Sequence, residues 1–332
     1  MQNILIIGAS GFVGTNIINN PRIKYEAGDG FLKEFDFINS SSSKKKDFYY
    51  LDLLDLKSVE DLIKEKDPKY IIHLASISFI PSSFEDPKKI IDINYYGTFN
   101  LLETLRKYSF KGRLLYVSSG DVYGKFKEES LPLKETQPLS PKNPYAASKG
   151  AAELLCLQYV NGYSLDIVVA RPFNHIGPHQ SDLFSVSSFA RQCALISLNK
   201  KEPVIKTGNL NTYRDFLDVK YVIEAYFLLL YRGVAGEIYN VCSGIPLKMF
   251  FILEKLISFT GKDIKIETDT QRLRAIDTIK IYGDNSKLKN DVGFKINYDI
   301  DYTAPVCQDK FFNLLLPFSF FFFNLLNSYI FI

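Results

Sequence analysis

The sequence predicts an α/β fold, a doubly wound parallel sheet with a smaller C-terminal lobe. Three observations predict it. Short apolar runs alternate with amphipathic segments through residues 1–175, the pattern that parallel strands joined by crossover helices leave in a sequence. A glycine-rich turn, "GASGFVG", joins the first run to the first helical segment. After residue 178 the alternation loosens, as expected of a lobe added to a finished sheet.

Each element follows in order. "NILIIG" is a continuous apolar run, suited to a central strand buried on both faces. The turn and helix "GASGFVGTNIINN" end at Pro21, and "EFDFINS" is the candidate second strand within an irregular 21–46 stretch. "DFYYLDLLD" reads as the next strand and "KSVEDLIKEKDP" as an amphipathic helix closed by Pro68. "YIIHLAS" is a short buried strand, residues 86–109 carry one long helical periodicity, and 113–118 is a further strand. A helix starts near Pro144, and "SLDIVVARPF" is the strand that follows it. Beyond it come a helix in "FSVSSFARQCALISLN", a short strand in "PVIKTG", a helix in "VKYVIEAYFLLLYRG" and a strand in "GEIYNVCS". The expected organisation is a dinucleotide-binding body at 1–175 with returning segments near 210–245, a lobe mainly at 176–304, and an atypical tail at 305–332.

Composition excludes several classes. A hydrophobic content of 46% with 23% charged residues is that of a globular chain. A net charge of +3 is too small for a nucleic-acid surface, and "SKKK" at 43–46 reads as a solvated loop. Cys156, Cys193, Cys242 and Cys307 are widely spaced, and with only three histidines neither a disulfide framework nor a metal site is expected. With no disulfide framework, a reducing cytoplasm is the expected compartment, and the chain opens directly into a strand rather than a signal peptide. Residues 311–332 carry no charge. Their length admits a membrane anchor; Pro317, Asn313, Asn324 and Asn327 argue against one, and an aberrant frame or a buried, domain-covering helix are the other readings. A membrane partner is expected only if that tail is a true anchor.

The chemistry-bearing stretches come next. Gly8, Gly11 and Gly14 stand between strand and helix, where glycine lets the backbone approach a pyrophosphate and the helix start offers free N–H groups. The carboxylate expected after the second strand for the adenosine ribose is replaced by Asn39, serines and Lys44 to Lys46. Hydroxyls and lysines accept a 2′-phosphate that a carboxylate would repel, so NADP(H) is favoured and NAD(H) admitted. Asp52 can accept from the adenine amino group or cap a helix. Tyr145 and Lys149 share one helix face at i, i+4 spacing. An ammonium there should lower the tyrosine pKa for acid–base work. Ser119, at the end of a neighbouring strand, can hydrogen-bond the reacting oxygen.

At these residues the chain resembles the extended short-chain dehydrogenase/reductases that act on nucleotide sugars. The resemblance runs from Met1 to about Tyr302 through "GASGFVG", "IIHLAS", "NYYGTFNLLE", "SSGDVYG", "NPYAASK", "RPFNHIGP" and "YRDFLDV". "SISFIPSSFEDP" and "RPFNHIGPHQ" look most like its GDP-sugar branch. The resemblance implies a Rossmann-type sheet, with Gly8, Ser10, Gly11, Phe12, Val13 and Gly14 around the pyrophosphate. It sets Asp52 and Leu53 at the adenine, and Leu74, Ala75, Ser76 and Pro172 lining the cofactor. Ser119, Tyr145 and Lys149 become the catalytic set, with Lys149 also holding the nicotinamide ribose. Ser78, Asp121, Asn174, Arg191, Arg214, Arg274 and Asp277 fall on the substrate side, although Ala275 replaces a usual proline. Arg214 suits a bidentate grip on a diphosphate; a surface ion pair is its competing reading, and that of Arg274. His73 and His175 are expected to be structural. A GDP-sugar is the implied substrate, and a homodimer through the 86–108 and 144–161 helices the implied assembly.

Gly120 bears on the reaction. Dehydratases of this family carry a side chain there and a Glu next, whereas this chain has Ser119, Gly120 and Asp121. Gly120 cannot assist a leaving hydroxyl, and Asp121 is one methylene short for a base. A reductase needs neither. The expected activity is reduction of a GDP-4-keto-6-deoxyhexose to GDP-6-deoxymannose or its C4 epimer. A dehydratase or epimerase, or a disabled relative that only binds dinucleotide, is the alternative.

Overall fold

The computed structural model of the chain describes residues 2–19, 35–273 and 278–296. The expectations placed on 20–34, on Arg274 and Asp277, and on the tail at 305–332 lie outside the described residues. Along the first half run β1 (Gln2–Ile7), α1 (Phe12–Asn19), β2 (Phe35–Ser41), β3 (Tyr49–Tyr50), α2 (Leu56–Lys66) and β4 (Tyr70–His73). They continue with α3 (Ile80–Glu85), α4 (Pro87–Ile91), α5 (Gly97–Lys107), β5 (Arg113–Val117), α6 (Pro144–Tyr163) and β6 (Asp166–Pro172). The second half holds β7 (Asn174–Ile176), α7 (Ser185–Ser197), β8 (Val204–Thr207), β9 (Tyr213–Asp218), α8 (Val219–Arg232) and β10 (Ile238–Val241). Last come β11 (Pro246–Lys248), α9 (Met249–Ser258), β12 (Lys265–Thr268), β13 (Lys280–Ile281) and α10 (Ser286–Val292).

Seven strands form one parallel sheet in the order β10-β6-β5-β4-β1-β2-β3. The order reverses at β1, between β4 and β2, and in such sheets ligands bind beyond the carboxyl ends of the strands at that point. The β1 run is apolar without interruption because both its faces are covered. Ile4 and Ile6 pack with Val222, Tyr226 and Leu229 of α8 and Leu288 of α10 on one side. Leu5 and Ile7 pack with Val59 and Leu62 of α2, Leu101 and Leu105 of α5 and Cys156 of α6 on the other. Each fully buried aliphatic side chain of this kind contributes about 1.5–3 kcal/mol. A separate cluster, Ile176, Phe189, Cys193, Ile205, Ile252 and Leu253, holds α7, α9 and the short strands of the lobe together.

Two expectations change. The strand expected over 47–55 shrinks to Tyr49–Tyr50, an edge pair with each ring 43% exposed. Beyond it the aspartates turn the chain: Asp52 Oδ1 accepts from Leu54 N–H at 3.0 Å, and Asp55 Oδ1 from Lys57 N–H at 3.1 Å. Asp55, not Asp52, is therefore the cap of α2. The single helix expected over 86–109 is interrupted. Asp86 caps α4, and a π-helical turn at Asp92–Tyr96 separates α4 from α5.

Candidate active site

β1, β4 and β5 carry their site residues out of the sheet at the reversal point. At the end of β1, Gly8 has φ +87°, and a Cβ there would lie 2.7 Å from the Ala75 backbone nitrogen. The turn thus presses on the strand end that leads into Leu74, Ala75 and Ser76, and Leu74 N–H bonds Ile7 O at 2.9 Å. A Cβ on Gly11 would meet the Gly8 carbonyl oxygen at 3.3 Å and, its chain neighbours aside, no other atom of the described residues within 4 Å. That open space at the start of α1 is what a pyrophosphate needs. Gly14 serves packing instead, since a Cβ there would lie 2.4 Å from Ala9 O. Phe12 stacks on His175 with centroids 5.6 Å apart. The Leu53 side chain is buried in the core beside Gly97, so only its backbone can face an adenine. Ser10 Oγ lies 3.1 Å from Ser41 Oγ, which lies 3.2 Å from Ser43 Oγ, a chain of hydroxyls at the end of β2.

The end of β5 and the start of α6 meet beside this turn. Asn143 caps α6, accepting from Ala146 N–H at 2.7 Å, with Pro144 at the first helical position. Tyr145 and Lys149 follow on one face, 8% and 2% exposed. Tyr145 hydrogen-bonds Ser119, and Ser119 Oγ also accepts from Asp121 N–H at 3.2 Å. The expected effect of Lys149 on Tyr145 is overturned. Burial pushes the Tyr145 phenol up, the Asp121 charge adds to that, and only the Ser119 hydrogen bond opposes them. Lys149 Nζ instead sits 4.5 Å over the Tyr116 ring, and burial lowers its pKa to about 8. Tyr145 is therefore a protonated phenol at neutral pH, fit to donate a proton.

Several neighbours carry no obvious sequence signal. Asn94 lies inside the π turn, where its Oδ1 accepts from Ile77 N–H at 2.9 Å and its Nδ2 donates to Ser148 Oγ at 3.0 Å. It ties the 74–79 loop to α6, and an extra residue per turn is what aims it there. Glu153, one turn beyond Lys149, is fully buried and bonds Arg171 of β6 through Nε at 3.1 Å. Arg171 Nη1 donates to Tyr123 Oη at 3.0 Å. His73 bonds Thr98 at 3.0 Å, and burial holds it neutral with a pKa of about 3; His175 bonds Phe173 O at 3.0 Å.

On the substrate side, Asn174 opens β7 and donates to Asp215 O at 3.3 Å. Arg214 of β9 donates from Nη1 to Thr278 O at 2.7 Å, beside the 274–277 stretch. Pro172 is buried at the end of β6, and Ser78 is exposed in the 74–79 loop. Arg191 differs from the others: it is half-exposed on α7 and pairs with Asp182 at 3.3 Å. Among the described residues no group of His, Cys, Asp and Glu could hold a metal ion, and no helix is long and apolar enough to cross a membrane.

The profile of the GDP-mannose 4,6 dehydratase family matches residues 5–304. The chain belongs to that family. Its relatives include the GDP-6-deoxy-D-mannose reductase of Pseudomonas aeruginosa, 42% identical over 244 residues, 74% of this chain and 80% of the relative. The GDP-6-deoxy-D-talose 4-dehydrogenase of Aggregatibacter actinomycetemcomitans is 28% identical over 96% of this chain and 100% of its own. A structure of RMD from Pseudomonas aeruginosa complexed with NADPH superposes with a TM-score of 0.84 at 35% identity, covering 95% of this chain and 100% of that one. The UDP-glucose 4-epimerase of Thermus thermophilus in complex with NAD gives 0.79 at 26% identity over 93% and 99%. The chain is thus an NAD(P)-dependent oxidoreductase of the extended short-chain dehydrogenase/reductase type, and a nicotinamide dinucleotide is its cofactor.

Proposed function

We propose that this family member reduces the 4-keto group of a GDP-4-keto-6-deoxyhexose with NADPH, giving GDP-6-deoxy-D-mannose or its C4 epimer. One observation carries the reading. The strand end that presents Ser119 to a protonated Tyr145 continues into Gly120, which has no side chain. Eliminating water from a sugar needs an acid for the leaving hydroxyl and a base for the carbon-bound proton. Reducing a ketone needs one proton donor beside the hydride.

Gly8, Ser10, Gly11, Phe12 and Val13 would hold the pyrophosphate on the backbone at the start of α1, and Asp52 with the Leu53 backbone the adenine. Leu74, Ala75, Ser76 and Pro172 would line the nicotinamide half, and Lys149 would grip its ribose. When bound, the dinucleotide supplies the hydride. The Ser119 and Tyr145 hydroxyls orient the keto oxygen, and Tyr145 gives it a proton. Lys149, though burial lowers its pKa to about 8, stays mostly charged at neutral pH and so can still grip the nicotinamide ribose. Ser78, Asp121 and Asn174 would face the sugar, and Arg214 would clamp the diphosphate together with Arg274 and Asp277. NADPH is favoured by the Ser10, Ser41 and Ser43 hydroxyls and by the absence of a carboxylate over 39–46. A homodimer would cover Ile91, Tyr96, Phe99 and Leu154, which are 39–59% exposed on neighbouring helices.

The test is cofactor oxidation, followed by absorbance, on GDP-4-keto-6-deoxymannose, with GDP-mannose and no added cofactor in parallel. Oxidation of NADPH faster than NADH in the first arm, with silence in the second, is the expected result. A 4-keto product from GDP-mannose would overturn it in favour of a dehydratase.

A further inference from the structure

Where the end of β5 lacks a side chain, a ring fills the space. A Cβ built on Gly120 would lie 3.1 Å from Cγ and Cδ2 of Phe173 and 3.2 Å from its Cε2. Carbon atoms in good contact sit about 3.5–4.0 Å apart. The backbone does not ask for glycine here: Gly120 is not among the residues with positive φ. The reason for glycine is the ring.

Nor can the ring easily retreat. Its tip reaches Gly283, where an added Cβ would lie 2.6 Å from Cε2 and 2.7 Å from Cζ. Tyr123 packs against it with centroids 6.1 Å apart, and Leu133 and Cys242 are the other buried members of the cluster. The main chain is held as well, since Phe173 N–H bonds Val241 O at 2.9 Å. The ring therefore lies between two backbone stretches that matter: Gly120 leads to Asp121, and Phe173 leads to Asn174.

We propose that Phe173 is a positioning residue. By filling the space beside Gly120 it dictates glycine there, and it fixes the spacing between Asp121 and Asn174 against the sugar. A Cβ at 120 and the ring at 173 cannot both keep their present places: one must give by a few tenths of an ångström. The proposal rests on the reading of Asp121 and Asn174 as sugar-facing groups in the reduction.

Four full-length proteins test it: wild type, Gly120→Ala, Phe173→Leu and the double variant. Gly120→Ala adds only the Cβ. The expected result is a rise of at least fivefold in KM for GDP-4-keto-6-deoxymannose and a lower Tm, with the NADPH Kd unchanged. Phe173→Leu alone should raise KM less, and the double variant should recover most of what Gly120→Ala lost, as contacting residues do. Additive losses, a Gly120→Ala protein with wild-type KM, or coupling in Tm with a flat KM would each overturn the proposal. So would an unfolded Gly120→Ala protein that Phe173→Leu does not restore. If the wild type reduces no GDP-keto sugar, the proposed reaction fails, while the Tm cycle still decides whether ring and Cβ compete.

Discussion

β1 and β5 lie two strands apart in the sheet, with β4 between them, and the chain beyond each reaches a glycine for a different reason. At β1, Gly8 takes a positive φ and crowds the Ala75 backbone, while Gly11 leaves a space open. At β5, Gly120 has an ordinary φ, and its missing side chain is replaced by the Phe173 ring. The first end keeps room for a ligand; the second has given that room to the protein. A spacing of glycines in a sequence reveals the first kind of use, because the turn, strand and helix around it are local. It cannot reveal the second, because the partner lies far along the chain.

The sharpest separation of the two ends comes from Tyr145→Phe. Loss of a positioned proton donor should lower kcat for keto-sugar reduction by about 10²–10⁴-fold, with the NADPH Kd unchanged in a fluorescence titration. A weakened Kd would mean that the two ends are not separate. Gly8→Ala should do the reverse and weaken NADPH binding by more than about tenfold. Strain at such a backbone position costs about 1–3 kcal/mol, and the added Cβ must also displace the Ala75 backbone.

Glu153→Ala tests the support beneath the β5 end. It strands Arg171 in the core, and removing one partner of a buried pair costs about 3–5 kcal/mol, readable as a fall in Tm. Replacing both Glu153 and Arg171 by apolar residues should cost less than Glu153→Ala alone.

A smaller effect concerns Lys149. Its folded-state pKa of about 8 lies below the ordinary value of 10.5. Between those values the unfolded chain binds a proton that the folded chain has released, so stability rises with pH across that window. Lys149→Met should lack this rise, and any Tm advantage it has over wild type at pH 7 should shrink toward pH 10. The smallest expected change is in Ser41→Ala, a several-fold loss of preference for NADPH over NADH, read from kcat/KM ratios with each cofactor.

Much of the body was legible in the sequence because its signals are local. The Ile4-to-Ile7 run reads as a strand covered on both faces, and Asn143-Pro144 announces a helix start. The 47–55 strand fails because alternating apolar residues there turn back on the Asp52 and Asp55 side chains instead of pairing. At the site, the fold brings Ser119 to Tyr145, a contact that no spacing in the sequence marks. The charge argument for Lys149 does not hold, because burial and Asp121, which spacing cannot show, push the Tyr145 phenol up while the Lys149 ammonium settles on Tyr116. Arg191, set on the substrate side by the resemblance, pairs with Asp182 from α7, a contact that no motif announces. Asn94 and Glu153 are hidden for a common reason: each faces inward through tertiary geometry with no motif to mark it.

The π turn at Asp92–Tyr96 also works as a phase adjuster. Successive residues of an α-helix are rotated by about 100°, so one additional residue swings everything after it by most of a third of a circle. Leu101, Leu102 and Leu105 reach the core in the setting that this offset gives them. Deleting any single residue between 92 and 96 would turn that stripe toward water while leaving every amino acid in it unchanged. Along this helix, counting is as much a part of the fold as composition.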